Sequence, residues 1–226
     1  MSLPLKARLF SAALAAAVPL LANGQLPADD FSAGVAALTQ KNNAEAVRLF
    51  TKVVLRNPQN TVALWGRGAA YGGLGEFDQA IADYDAAIRI DPKFGFAFAS
   101  RAGAWLAKGE YAKALDDCDK AIHLDPKSAA AHNDRAWMRA TCRDEKYRDG
   151  TKAIEDATKA CELTDWKRPE YLDTLAAAYA EAGQFDKAVE WQEKAVESVA
   201  EDQNVDDFAT RLELYQAEKP YRQERM

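Results

Sequence analysis

The chain has 226 residues, 48% of them hydrophobic and 28% charged, with a formal net charge of −6. That is enough apolar material for one domain with a continuous core. The acidic balance, with no basic stripe to reverse it, excludes a polyanion such as nucleic acid as the natural partner.

Residues 1–24 read as a secretory signal peptide. Lys6 and Arg8 form a charged start, and Leu9 to Leu21 is an apolar run interrupted by Pro19 and short for a bilayer span. Ala22-Asn23-Gly24 sets small residues where a signal peptidase reads them, which places cleavage before Gln25. The alternative is a retained first helix that tethers the chain to a membrane. No Cys follows the apolar run to carry a lipid, and no later run is long enough to cross a membrane. The expectation is a mature chain of residues 25–226, exported to the periplasm or exterior of a bacterium, with a net charge of about −8.

The remainder repeats itself. Residues 28–60 hold two helical stretches, FSAGVAALTQ and AEAVRLFTKVVL, with Asn42-Asn43 as the turn and Asn57-Pro58 as the stop. Residues 61–94 follow the same plan, turning at Gly75-Glu76 with Phe77 packed across the turn. Residues 95–128 repeat it, and Pro58, Pro92 and Pro126 fall 34 residues apart. A fixed period of this size marks a solenoid. A fourth unit, 129–168, delays its second stretch, KAIEDATKACEL, by five residues through CRDEKYRDG, whose Asp149-Gly150 reads as a turn. A fifth, 169–200, runs PEYLDTLAAAYAEAGQFDKAVEWQEKAVE. In 201–226, Phe208, Leu212, Leu214 and Tyr215 outline one more helix suited to cap a solenoid, with the last residues expected to fray.

In the second unit Leu64, Gly68, Tyr71, Ala80, Tyr84, Ala87 and Pro92 sit at offsets 4, 8, 11, 20, 24, 27 and 32. This pattern resembles the tetratricopeptide repeat, and the resemblance covers nearly all of the chain after residue 28. From Cys142 through Arg222, the stretches ACELT, YLDTLAAAYAEAGQFDKAVEWQEKA and RLELYQAEKPYR resemble a block recurrent in bacterial tetratricopeptide proteins. The resemblance implies an all-α fold, a right-handed α-solenoid of about five helix–turn–helix hairpins plus a capping helix, acting as a binding scaffold without catalysis or cofactor. The small residues at offsets 8 and 20 have a physical cause, because the two helices of a hairpin approach most closely there.

Internal comparison exposes a pairing. Offset 7 holds Ala33, Arg67, Arg101, Arg135 and Leu175, and offset 23 holds Leu49, Asp83, Asp117, Asp156 and Trp191. Arg in one position accompanies Asp in the other, so Arg67–Asp83, Arg101–Asp117 and Arg135–Asp156 read as structural pairs inside hairpins rather than a catalytic array.

Chemistry finds little footing. The two His, His123 and His132, lie outside any metalloprotease pattern and away from a nucleophile. Gly72-Gly73-Leu74-Gly75 ends a helix rather than opening one, so its amides are wrongly placed for phosphate. Cys118 reads as core. Cys142 and Cys161 stand at distant helix ends in a simple hairpin, which weighs against a disulfide between them, although the insertion leaves that pairing open.

The family lines its concave groove with offsets 2, 5, 9 and 12 of each first helix. By that resemblance the partner-binding residues are Phe31, Val35, Trp65, Ala69, Phe96, Asn133, Trp137 and Asp173, alongside Val62, Ala99, Glu170 and their neighbours. The alternative is that Trp65, Phe96 and Trp137 pack against adjoining helices. The family's carboxylate clamp needs a Lys that does not accompany Asn133. The groove so outlined is aromatic at one end and acidic at the other, suited to a peptide or protein with apolar anchors and a basic end. The rival roles are self-association through the terminal repeats, and an enzyme or small-molecule binder.

Overall fold

The structure, a computed structural model, describes residues 30–198 and 205–223. The signal-peptide reading of 1–24 lies outside the described residues. Among the described residues all regular structure is helical. The chain forms two compact units, one running to Asp125 and one from Pro126. Each is built as an α-solenoid, with hairpin stacked on hairpin.

The first unit holds α1 (Asp30–Thr39), α2 (Asn43–Arg56), α3 (Thr61–Leu74), α4 (Phe77–Ile90), α5 (Gly95–Ala107) and α6 (Tyr111–Leu124). Side-chain caps start α2 and α3. Asn42 accepts from the Glu45 amide at 3.4 Å, and Asn60 from the Ala63 amide at 2.9 Å. Within the first turn Lys41, at φ 58°, takes the left-handed position, and Asn42-Asn43 caps and opens α2 instead of forming the turn itself. Gly75 takes the same role at φ 81°, where a side chain would be strained.

Packing explains the small residues. Ala46, Ala80 and Ala114 are fully buried. A Cβ on Gly68 would come within 2.7 Å of the Tyr84 ring, and one on Gly34 within 3.1 Å of Phe50. Any larger residue there would force α3 from α4, or α1 from α2. Two apolar clusters result, one around Phe31, Leu38, Leu49 and Phe50, the other around Leu64, Trp65, Ile81 and Tyr84.

The second unit holds α7 (Ala129–Thr141), α8 (Gly150–Leu163), α9 (Pro169–Glu181), α10 (Phe185–Ser198) and α11 (Val205–Gln216), with a short 3-10 turn at Glu145–Tyr147. Helix α9 packs on both α7 and α8, and α11 packs on α10. Asp149-Gly150, read from sequence as a turn, proves to be a helix start. Asp149 accepts from the Lys152 amide at 3.0 Å and caps α8, and Gly150 is its first residue. The insertion before it is anchored rather than a simply solvated turn. Arg148 donates to Glu181 on α9 at 2.9 Å and to the carbonyl oxygens of Cys142 and Arg143, each at 3.0 Å. Cys118, Cys142 and Cys161 are all buried, and none of them forms a disulfide among the described residues. Burial pushes the Cys161 thiol up to about 12, which makes it a poor nucleophile.

The expectation that the last residues fray fails through Gln223. Beyond α11 the chain turns at Glu218 (φ 55°) and lies back on α7. The Gln223 amide donates to the Thr141 carbonyl at 3.0 Å, and the Tyr221 ring sits 5.8 Å from that of Trp137. An aromatic contact, a backbone hydrogen bond and the ion pair of Arg222 with Glu181 together hold a segment that composition alone marks as solvated.

Candidate functional site

The Arg and Asp residues at offsets 7 and 23 meet inside their hairpins. Arg67 reaches both oxygens of Asp83 at 2.7 Å, one from Nε and one from Nη2. Arg101 grips Asp117 in the same bidentate way at 2.7 Å, and its remaining nitrogen reaches Asp85. Hydrogen bonding to Asp117 raises the Arg101 pKa, against the effect of burial. Arg135 holds Asp156 at 2.8 and 2.6 Å. Two groups join that third pair. Arg139 donates to Asp156 at 2.6 Å, and His132 Nδ1 lies 3.2 Å from it. Burial opposes the Asp156 charge, but the hydrogen bonds from His132 and Arg135 outweigh it and hold the carboxyl below its usual value. The other ring nitrogen of His132 lies 3.2 Å from the Pro126 carbonyl, so both polar edges of the ring are engaged.

The first-helix faces differ between the units. In the first, Phe31 is buried edge-on against Phe50 at 5.8 Å, and Val35 is half-buried. Trp65 is buried, with Nε1 donating to the Ser100 hydroxyl at 2.9 Å, and Ala69 is buried beside Phe50's cluster. Phe96 is half-buried. It stands 6.3 Å from Trp65 and 5.9 Å from Phe94, itself half-buried. The side chains of this set that solvent reaches are therefore Val35, Val62, Phe94 and Phe96, resting on Trp65 and Phe31 beneath.

In the second unit the corresponding positions are covered. Asn133 is buried, its amide 3.5 Å from Asp134. Trp137 is buried, with Arg211 5.8 Å from its ring centre and Tyr221 beside it. Asp173 is 0% exposed and accepts from Gln192 at 2.7 Å and from Arg211 at 2.6 Å. Asp173 thus faces its own chain, not a partner's basic end. Burial alone would lower the Arg211 pKa, and the Asp173 charge more than offsets this. Glu170 on the same helix is bonded to Arg168 at 2.7 Å.

Sequence reading missed Gln192 and Arg211, though both left a trace. Gln192 holds the offset filled by Phe50, Tyr84 and Cys118 in the first three hairpins. Arg211 falls on the apolar face of α11, one turn from Phe208 and Tyr215. It also missed Asp134, buried at 2% exposure, whose carboxyl burial pushes up to about 8. Among the described residues no group of three or more His, Cys, Asp or Glu side chains is placed to hold a metal ion. Among them, too, no helix is long and apolar enough to cross a membrane.

Two family models described as tetratricopeptide repeat match the chain, one at residues 31–94 and 67–129, the other at 170–200. The chain is 36% identical over 66 residues to small glutamine-rich tetratricopeptide repeat-containing protein 2 of Mycosarcoma maydis, covering 29% of this chain and 19% of that one. It is 34% identical over 68 residues to the heat-shock protein cognate co-chaperone sgt12 of Aspergillus fumigatus, covering 30% of this chain and 20% of that one. The chain thus spans about a fifth of the length of the curated relatives it matches. Among solved structures, the tetratricopeptide protein TTC0263 of Thermus thermophilus superposes with a TM-score of 0.66 at 23% identity, over 82% of this chain and 96% of that one. The matched segments together exceed half the chain, and the chain belongs to the tetratricopeptide repeat family.

Proposed function

We propose that the chain is a non-catalytic scaffold that binds another protein or a peptide, and that it does so on the first-helix face of its first unit. The observation that carries this reading is the aromatic set of Trp65, Phe94 and Phe96. Its inner member is locked by a hydrogen bond to Ser100, and its outer members stay half-buried. Rigid aromatic side chains on a preformed surface offer contact area at low entropic cost, the usual basis of a binding hot spot. Membership of a family that is typically a non-catalytic interaction scaffold supports the reading. So does the relative named as a co-chaperone, a protein that works with another protein.

Export belongs to the same proposal and rests on Lys6, Arg8, the apolar run 9–21 and Ala22-Asn23-Gly24. The partner would then be met in the cell envelope or outside the cell. Intact-mass measurement on protein from fractionated source cells tests export. A mature form beginning at Gln25 in the envelope or medium supports it, and a full-length form confined to the cytoplasm overturns it.

The scaffold reading is tested by capture from envelope extract with wild-type chain and with Val62→Ser/Phe96→Ser, each shown to be folded by its melting curve. Recovery of one protein by the wild type and its loss with the variant supports this face. Equal recovery by both moves binding elsewhere.

A further inference from the structure

The second unit already holds a peptide on its first-helix face, and that peptide is its own. Residues 219–223 leave α11 after the left-handed Glu218 and run without regular structure along α7. Three contacts of different kinds fix them. The Tyr221 ring lies 5.8 Å from the Trp137 ring at a tilt of 40°. Arg222 places Nη2 2.6 Å from Glu181 Oε2, as an ion pair rather than an aligned hydrogen bond, and Nη1 3.4 Å from the Ala140 carbonyl. The Gln223 amide donates to the Thr141 carbonyl at 3.0 Å.

The receiving surface is held by contacts in which the tail takes no part. Trp137, Ala140 and Thr141 lie along α7, and the Thr141 hydroxyl is bonded to the Trp137 carbonyl at 2.8 Å. Glu181 is held from the other side by Arg148 of the insertion at 2.9 Å. The carbonyls of Ala140 and Thr141 belong to the last turn of α7, where a helix leaves acceptors unfilled and favours cations. An aromatic shelf, two helix-end acceptors and a fixed carboxylate are complementary to an extended segment carrying an aromatic residue followed by arginine. Such recognition draws its register from the main chain and its selectivity from the two side chains.

We propose that Trp137, Ala140, Thr141 and Glu181 form a peptide-docking surface for an extended aromatic–arginine segment of a partner protein. Tyr221-Arg222-Gln223 is its resident occupant, which the partner's segment displaces. This rests on the reading of the chain as a protein-binding scaffold, and it names a second surface with its own partner chemistry. A tethered occupant acts at an effective concentration in the millimolar range, so a tail whose own affinity for the surface is about 0.1 mM weakens any competing peptide roughly tenfold. The tail thereby sets an affinity threshold that a partner's segment must exceed.

The test uses the whole chain and a fluorescent synthetic peptide with the sequence of residues 217–226, followed by fluorescence anisotropy. The chains compared are wild type, Arg222→Ala and Tyr221→Ala/Arg222→Ala, with helicity and melting temperature recorded for each. The expected result is peptide binding about tenfold tighter to the double variant than to wild type, with Arg222→Ala between them. A peptide carrying alanine at both positions should bind none of the three. Absence of peptide binding to folded Arg222→Ala and double-variant chains overturns the proposal and leaves the tail as structural packing. If the double variant unfolds, Arg222→Ala alone decides, through a gain of about threefold or none. Loss of this binding with partner capture on the first unit intact defeats only this inference. Loss of capture there, with the peptide still bound, defeats only the first-unit reading.

Discussion

The hairpins of residues 61–125 and those of residues 126–198 face the same requirement and meet it differently. Both must hold the two helices of a hairpin together and finish the first-helix face. In the first unit Asp83 and Asp117 each have one bidentate Arg, and the core around the first of these pairs is apolar, drawn from Leu64, Ile81, Tyr84 and small Ala residues. In the second, Asp156 gathers Arg135, Arg139 and His132, Asp173 gathers Gln192 and Arg211, and Asp134 is buried without a cation. The first unit leaves Phe94 and Phe96 half-buried, whereas the second covers Trp137 and Asp173 of its first-helix face with α11 and the tail. A repeat can therefore keep its small-residue positions while exchanging an apolar interior for a polar one, provided the polar groups are paired. The second unit's network binds its elements in specific geometry at the cost of sensitivity to any lost partner.

The largest effect should come from Asp173→Ala. It strands Arg211, a buried guanidinium, and removes the acceptor that joins α9 to α10 and α11. Breaking a buried pair from one side costs about 3–5 kcal/mol. Urea unfolding should show the midpoint falling accordingly. A change below about 1 kcal/mol would mean that water or a shifted side chain readily replaces Asp173.

Next is Arg101→Ala, which leaves the Asp117 carboxylate buried without its bidentate partner. The expected loss is about 3 kcal/mol, eased because the Arg101 side chain is 16% exposed. Arg101→Leu with Asp117→Leu should recover much of it, since two apolar groups of similar reach replace a pair whose desolvation was costly. Equal melting temperatures for the single and double variants would remove the pairing from the account of stability. The same swap at Arg135 and Asp156 should recover less, because Arg139 and His132 would lose their acceptor too.

These differences separate what the sequence discloses from what it conceals. Hairpin order, the close-approach alanines and the Arg–Asp offsets are periodic, so one repeat informs the next. Residue patterns made by neighbours close in sequence, such as Asn60 before α3, are equally open to reading. Contacts unique to one place have no second instance to compare. Arg211 with Asp173, 38 residues apart, is of that kind, and so is Tyr221 on Trp137. Trp65 and Trp137 sit at groove offsets by spacing alone, yet each is buried, one by Phe94, Phe96 and Ser100, the other by the tail. Spacing assigns a side chain to a helix face and is silent on what else covers that face.

Asp134→Asn sharpens the contrast through pH. Burial pushes the Asp134 carboxyl up to about 8 in the folded chain, with Tyr171 of α9 near it, also shifted upward by burial. The unfolded value is about 3.9. Between these values the folded state binds one more proton than the unfolded state, so this group's stabilisation is full below pH of about 4 and is lost as pH rises towards 8. The Asn variant lacks that loss. Its stability relative to wild type should therefore climb from pH 5 to pH 8, by about 1–3 kcal/mol. Melting curves across that range check this, and a constant difference would show that Asp134 is ionised and solvated.

The smallest effect is expected at Phe96→Ser. Phe96 is half-buried and packs on Trp65 and Phe94, which hold their own hydrogen bond and ring contact without it. Removing a partly exposed ring forfeits a fraction of its burial, about 1 kcal/mol. Trp137→Ala, at a different groove offset in the second unit, should cost about 3–5 kcal/mol, because its ring is enclosed by Arg211 and Tyr221. Thermal unfolding of the two variants side by side measures the contrast directly. A small loss at Phe96 with partner capture abolished would mark that ring as kept for binding rather than folding. A loss at Phe96 as large as that at Trp137 would place both rings in the core and move the binding surface off the first-helix face.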